Sequence, residues 1–407
     1  MLTLIANIQS LVQTRSENIL RVNGLNMKYL PQIDDAYLII ENGLIHSFGK
    51  MSELPMLQFA ETFDASDRLI LPTWIDSHTH LVYAASREQE FVDRINGLSY
   101  AEIAAKGGGI LNSARKMAAA DEGKLYEDAA VRLEQLIALG TGAIEIKSGY
   151  GLSTDAELKM LRVIRRLKEA YPHIPVKASF LAAHAFPMEY KENHKGYIDL
   201  IINEMLPKVA EEGLADYMDA FCEEGFFSVA ETEQLLEAGW KYGLKPKIHA
   251  NQLHRSGGVQ VGVKHDAVSV DHLESMGAEE LECLRDSHTI PTLLPGAAFF
   301  LGMHYQPARM MIDADLPVCL ASDLNPGTCP SGNMNLLLTI ACTQLKMTPE
   351  EAINAQTINA AAALELETIM GSITVGKKAS LIITKPVPSL AYLPYAYGEN
   401  LIEKVIV

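Results

Sequence analysis

The sequence predicts a (β/α)8 barrel of the TIM type carrying a small β-structured unit built from both chain ends. Three observations predict it. From about residue 141 onward, short runs that are apolar almost throughout alternate with amphipathic helical patterns. Runs of that kind are buried on both faces, which suits a parallel sheet. The histidines gather at the C-terminal ends of the runs, where barrels of this architecture keep their chemistry.

Taken in order, the first seventy residues contain YLIIENGLIHSFGK, two apolar runs around Asn42-Gly43, a strong hairpin signal. The first barrel strand is WIDSHTH (74–80). GAIEIK (142–147), PVKASFLAAHA (175–185), MDAFCEE (218–224), KPKIHAN (245–251), AVSVDHL (267–273), TIPTLLP (289–295) and PVCLASD (317–323) make eight. Between them lie YEDAAVRLEQLIAL, DAELKMLRVIRRLKEA, IDLIINEMLPKVAEE and ETEQLLEAGWKYG, with apolar residues at i, i+3, i+4 and i+7, as in helices packed on a sheet. The last forty residues return to strand-like runs, GSITVGKKASLIITK and LIEKVIV. The expected division is a barrel over residues 71–369 and a small β-sandwich composed of 1–70 and 370–407.

The chain has 407 residues and a formal net charge of -17, from 34 basic and 51 acidic side chains. Nucleic acid and anionic membrane surfaces need basic patches, so neither is expected as a partner. A small anionic substrate is compatible, since one arginine binds a carboxylate in an acidic protein. Cys222, Cys283, Cys319, Cys329 and Cys342 are odd in number and share no CxxC spacing, which favours a reducing compartment. The start, MLTLIANIQSLVQTR, lacks the features of a signal peptide, and no run reaches the length of a membrane span. A cytoplasmic location is expected.

His78 and His80 end the first barrel strand, His184 the third, His249 the fifth, His272 the sixth and Asp323 the eighth. One strand-end histidine alone is usually a hydrogen-bonded structural residue. Two at i and i+2 point to one side of an extended chain, and more from other strands converge on them. Neutral imidazoles with one carboxylate suit zinc or iron equally. Three histidines and an acid leave a coordination position open, as catalytic sites do. The triple glycine 107–109 lacks the GK[ST] ending of a phosphate loop and reads as a lid or a close backbone approach.

HTH at 78–80, KIHAN at 247–251, VDHL at 270–273 and ASDLNPGT at 321–328 together resemble the amidohydrolase superfamily. The resemblance implies one metal ion, divalent or trivalent, held by His78, His80, His249 and Asp323, with His272 catalytic or beside the ligands. SREQEF, AAKGGGI, IEIKSGYGL, FLAAHAFPMEYK, DAFCEEGFFS and SDLNPGTCPSGNM are similar to a branch of it that acts in histidine breakdown. That likeness runs from about residue 35 to the C-terminus. It implies hydrolysis of the cyclic amide of 4-imidazolone-5-propanoate to N-formimidoyl-L-glutamate by a homodimer, with His272 and Asp323 as the catalytic pair.

Such a substrate has a planar ring and a carboxylate tail. Arg87 offers a rigid bidentate partner for the tail, its bland alternative being a surface salt bridge with Glu88 or Glu90. Tyr150 offers a hydroxyl, though alone it reads as a packing residue, and His184 can bond a ring atom. Asn325, Gly327 and Thr328 form a turn that can offer amide and hydroxyl donors. Some members carry a glutamate where this chain has Gln252. An amide is no base at neutral pH, so Gln252 is expected to orient the ring. Ser380 replaces a usual aspartate, away from the chemistry. The rival readings are a cyclic-imide hydrolase or base deaminase, which needs no carboxylate clamp, and a non-catalytic barrel that uses metal for architecture.

Overall fold

The computed structural model describes residues 2–98, 102 and 108–407. Gly107, the first of the three glycines, lies outside the described residues. The N-terminal part supplies β1 (Leu2–Val12), β2 (Gln32–Glu41), β3 (Leu44–Lys50), β4 (Glu61–Asp64) and β5 (Leu69–Pro72). Asn42 and Gly43 both adopt positive φ, 50° and 78°, which makes the tight β2–β3 turn that their pairing predicts.

The barrel strands follow as β6 (Trp74–Asp76), β7 (Thr141–Lys147), β8 (Val176–Ala183), β9 (Tyr217–Cys222), β10 (Lys245–Ala250), β11 (Ser269–His272), β12 (Ile290–Leu293) and β13 (Cys319–Leu320). They form one parallel sheet in chain order, β6 to β13. Each of the four predicted helical patterns falls mainly on helix, as at Glu122–Ala138 and Thr154–Ala170, whose buried residues recur on one face (Leu125, Ala129, Leu133, Leu136 in the former). The third pattern carries a π-helical turn at Ile201–Met205, immediately before the helix segment that contains Pro207.

The seam between β6 and β13 is nearly closed by residues beyond both strands. Asp323 N donates to His78 O at 3.0 Å, and His80 N donates to Leu324 O at 2.8 Å. β13 is shorter than the predicted run because Asp323 turns left-handed, φ 56°, and carries the chain out of the ladder. The last stitches of the barrel are thus the backbone of the candidate ligands themselves.

After the barrel, β14 (Leu381–Thr384) pairs with β5, and β15 (Ile402–Ile406) pairs with β14. Both chain ends therefore contribute strands to one hydrogen-bonded sheet of seven, separate from the barrel. A bulge between Ile5 and Ile8 explains how β1 holds three partners: its first half pairs with β4 and its second with β5, while β2 runs along its other edge. Ile8, Leu11, Leu38, Ile70 and Ile383 form an apolar cluster on this sheet. The largest cluster joins the barrel to it through Val12, Leu71, Trp74, Ile382 and Ile402.

Candidate metal centre and its pocket

His78, His80, His249, His272 and Asp323 meet at one buried point above the barrel. Single ligand atoms of His78, His80 and His249 lie within 4.8 Å of one another, and so do those of His78, His272 and Asp323. Asp323 Oδ1 is 3.6 Å from His78 Nε2 and 3.7 Å from His80 Nε2. All four residues that the resemblance implied as ligands are brought together, and His272 stands within ligand reach as well.

The tautomers are set from below. His78 Nδ1 lies 2.6 Å from Asp271 Oδ2, and His249 Nδ1 lies 3.1 Å from Asp219 Oδ1. A carboxylate accepts, so each Nδ1 carries the proton and each Nε2 presents its lone pair. Both Nε2 atoms are buried without a hydrogen-bond partner. Orphaned acceptors are costly in a protein interior, and here they face one another. That donor set fits a metal ion. Burial, then the charges of neighbours led by Lys147 for His78 and by His184 for His80, holds both imidazoles well below their usual pKa, in the neutral form that binds metal. Burial raises the Asp323 carboxyl above the ordinary range, against the opposing charges of His272 and His249.

Beneath the histidines lies a charged layer that the sequence reading missed. Glu145, Lys147, Asp219, Lys247 and Asp271 are each 0% exposed. Lys147 Nζ donates to Glu145 Oε1 at 2.6 Å and to Asp219 Oδ2 at 2.8 Å, and lies 3.6 Å from Asp271 Oδ2. Lys247 donates to Glu145 and, at 3.0 Å, to Ser77 O beside the first ligand. The opposing charges outweigh the burial that would otherwise neutralise them. His249 and Lys147 hold the Asp219 carboxyl far below its usual value, and Asp219 and Glu145 keep the Lys147 ammonium charged. The available signal was period two: Glu145 and Lys147 alternate on one face of β7, and Lys247 stands two residues before His249 on β10.

Around the metal position, His184 stacks on His80 with ring centroids 5.1 Å apart and an interplanar angle of 11°. Its Nδ1 sits 3.0 Å from Gly149 O, which leaves Nε2 an acceptor. Tyr150 is 3% exposed, its ring 5.5 Å from that of His80. Burial raises its phenol, with Arg87 opposing and Asp323 adding to the rise, so this hydroxyl feels both the arginine and the ligand carboxylate. Its loop is pinned by buried Glu157, which accepts from Gly149 N, Gly151 N and Leu152 N at 3.0, 2.7 and 2.8 Å.

Arg87 pairs with Glu90, as its bland reading held, through Nε at 2.9 Å and Nη2 at 2.5 Å. The pair is nearly buried, however, with side chains 11% and 12% exposed. Nη1 faces Gly327, where a side chain would collide with the guanidinium. Glu90 Oε1 also accepts from Gly109 N at 3.0 Å, so the described end of the glycine run touches this corner.

In the 325–328 turn, Asn325 Oδ1 accepts from Gly327 N at 2.8 Å and Thr328 N at 2.7 Å, and Thr328 Oγ1 donates to Asp323 Oδ2 at 3.3 Å. Those amides are satisfied inside the turn, which shapes the wall and braces Asp323. Gln252 is half-buried, on a loop held by buried Glu223 through Leu253 N at 2.8 Å. His272 and Leu273 are left-handed, φ 85° and 67°, and return Glu274 Oε1 to 3.6 Å from His272 Nδ1. Two consecutive non-glycine residues there mark stored backbone strain at a functional position.

A parallel barrel with a histidine–aspartate centre at its C-terminal mouth defines a metal-dependent hydrolase of the amidohydrolase type. The chain belongs to the amidohydrolase family, whose model matches residues 69–406. Among curated proteins, Imidazolonepropionase from Flavobacterium johnsoniae is 57% identical over 407 residues, covering 100% of this chain and 99% of that protein. Imidazolonepropionase from Christiangramia forsetii is 56% identical with the same coverage, and that from Alkaliphilus metalliredigens 38% identical over 99% and 96%. In fold, the chain resembles E. coli guanine deaminase (TM-score 0.73, 14% identity, 100% and 97% covered). It also resembles a zinc-bound adenosine deaminase from Xanthomonas campestris (TM-score 0.69, 14% identity, 100% and 91% covered).

Proposed function

We propose that this chain is a hydrolase of carbon–nitrogen bonds that opens the cyclic amide of 4-imidazolone-5-propanoate to give N-formimidoyl-L-glutamate, as the names of its full-length relatives suggest. The observation that carries the reading is the convergence of two orphaned imidazole nitrogens, a third histidine and Asp323 beside a nearly buried arginine. His78, His80, His249 and Asp323 would hold the metal, zinc or iron. When bound, it supplies a Lewis acid that makes hydroxide available near neutral pH.

Arg87 takes the propanoate in place of some of its bonding to Glu90, with the Tyr150 hydroxyl beside it. His184 accepts from a ring nitrogen through Nε2, and Gln252 orients the ring from the facing loop. Asp323 accepts the proton of the attacking water and delivers it to the leaving ring nitrogen. His272, oriented by Glu274, donates to the carbonyl oxygen as charge develops there. The wider proposal is a cytoplasmic homodimer without nucleic-acid or membrane partners; none of the described helices is long and apolar enough to cross a membrane. Light scattering of the purified protein checks the dimer.

Metal analysis of purified protein, run beside the ultraviolet decay of freshly made imidazolone propanoate, tests the activity. Metal present with decay no faster than the spontaneous rate would overturn it. His272→Phe should keep its metal and lose turnover; full turnover would remove His272 from the mechanism.

A further inference from the structure

The charged layer under the histidines links two ligands that do not touch the same carboxylate. Asp219 divides its oxygens: Oδ1 faces His249 Nδ1 at 3.1 Å and Oδ2 accepts from Lys147 Nζ at 2.8 Å. Asp271 is fixed by Ser269 Oγ at 2.5 Å on Oδ1, while its Oδ2 faces both His78 Nδ1, at 2.6 Å, and Lys147 Nζ, at 3.6 Å. Lys147 therefore bridges the two carboxylates that orient two ligands from different parts of the barrel, one just beyond β6 and one on β10. Its third partner, Glu145, is held in turn by Ser179 and by Lys247, whose ammonium also bonds Ser77 O next to His78. Every member is fully buried, so no water competes for these contacts and the geometry has few alternatives.

We propose that Lys147 is a positioning residue of the metal centre, tying Asp219 and Asp271 together so that His249 and His78 aim Nε2 at one point. Lys147 touches neither metal nor substrate. It acts through two carboxylates, and its removal frees each to rotate and drag its histidine. Groups that orient ligand histidines change metal affinity by about 10- to 100-fold when altered. The inference rests on the metal site of the proposed function.

The test is zinc affinity, read by competition between the purified full-length protein and a chromogenic chelator well below the unfolding temperature. Lys147→Met, close in length and uncharged, is expected to bind zinc about 10- to 100-fold more weakly while still unfolding cooperatively. Lys377→Met, at a buried lysine in another part of the fold, should lower the unfolding temperature and leave zinc affinity unchanged. If Lys147→Met does not fold, Asp219→Asn and Asp271→Asn decide the matter with Lys147 in place. Linked through one ammonium, their losses should be non-additive, the double variant binding zinc nearly as well as the weaker single one. Additive losses, or a folded Lys147→Met within twofold of the parent, overturn the inference. A parent chain that takes up no zinc or iron would instead sink the metal site on which it rests.

Discussion

Gly327 faces Arg87 so closely that a methyl group there would strike the guanidinium, yet the obstacle is the end of a flexible side chain. Gly327→Ala should therefore fold, at the cost of a local overpacking of about 1–3 kcal/mol. The arginine must swing off the turn, and the tail of the substrate loses its preset partner. We expect KM for imidazolone propanoate to rise roughly tenfold, equivalent to about 1.4 kcal/mol of binding, with kcat little altered. A neutral imidazolone without the propanoate should show no such difference. Equal effects on both substrates would place Arg87 outside tail recognition. In DLNPGT this residue was legible as part of a turn offering donors to the ligand; that its missing side chain makes room for an arginine 240 positions earlier is a matter of tertiary approach.

At the scale of elements, several loops at the barrel mouth are each pinned by one buried carboxylate. Glu157 is the clearest, accepting three backbone amides of the 149–152 turn that presents Tyr150. Glu157→Ala leaves those amides buried and unpaired, at about 1–3 kcal/mol for each that water cannot reach. The urea midpoint should fall, and KM should rise with the displaced tyrosine. An unchanged midpoint would show the turn to be held by other contacts.

A second element, the crossing from barrel to sheet at 366–378, is closed by Lys377, which donates to Glu367 O at 2.6 Å and Ser372 Oγ at 2.9 Å. Burial pulls its ammonium down to about 8 from the ordinary 10.5, more than Glu367 restores. Between those values the unfolded chain binds the proton and the folded chain does not, so this group makes stability rise with pH across the window. Urea titrations of the parent and of Lys377→Met at several pH values should show that rise in the parent only. A parallel pH dependence in both would refute the assignment.

At the scale of the molecule, the barrel was legible because parallel strands buried on both faces must be written in apolar residues, and all eight runs became strands. The ligands were legible because they end those runs. The charged layer was not, because Glu145 and Lys147 look like interruptions of an apolar run until the barrel closes and gives each an opposite charge. That both termini build one β-structured unit was legible, but not which strands pair: β5 with β14 joins residues about 310 positions apart, and β1 needs a bulge to hold its partners.

Those long-range links bear on how the protein unfolds. The apolar cluster runs without a break from Val12, Leu71, Ile382 and Ile402 of the terminal sheet to Leu133, Leu136 and Ile144 of the barrel. Units that share a core are expected to melt as one. The metal position adds a second link, because its ligands come from both sides of the β6–β13 seam and from β10 opposite. An ion bound only by the folded chain stabilises it by RT ln(1 + [L]/Kd), about 4 kcal/mol at a thousand times Kd. Calorimetry should therefore give one transition for the metal-loaded protein and one, at lower temperature, after chelation. Two separated peaks after chelation, with the sheet melting apart from the barrel, would show that the shared core does not join them.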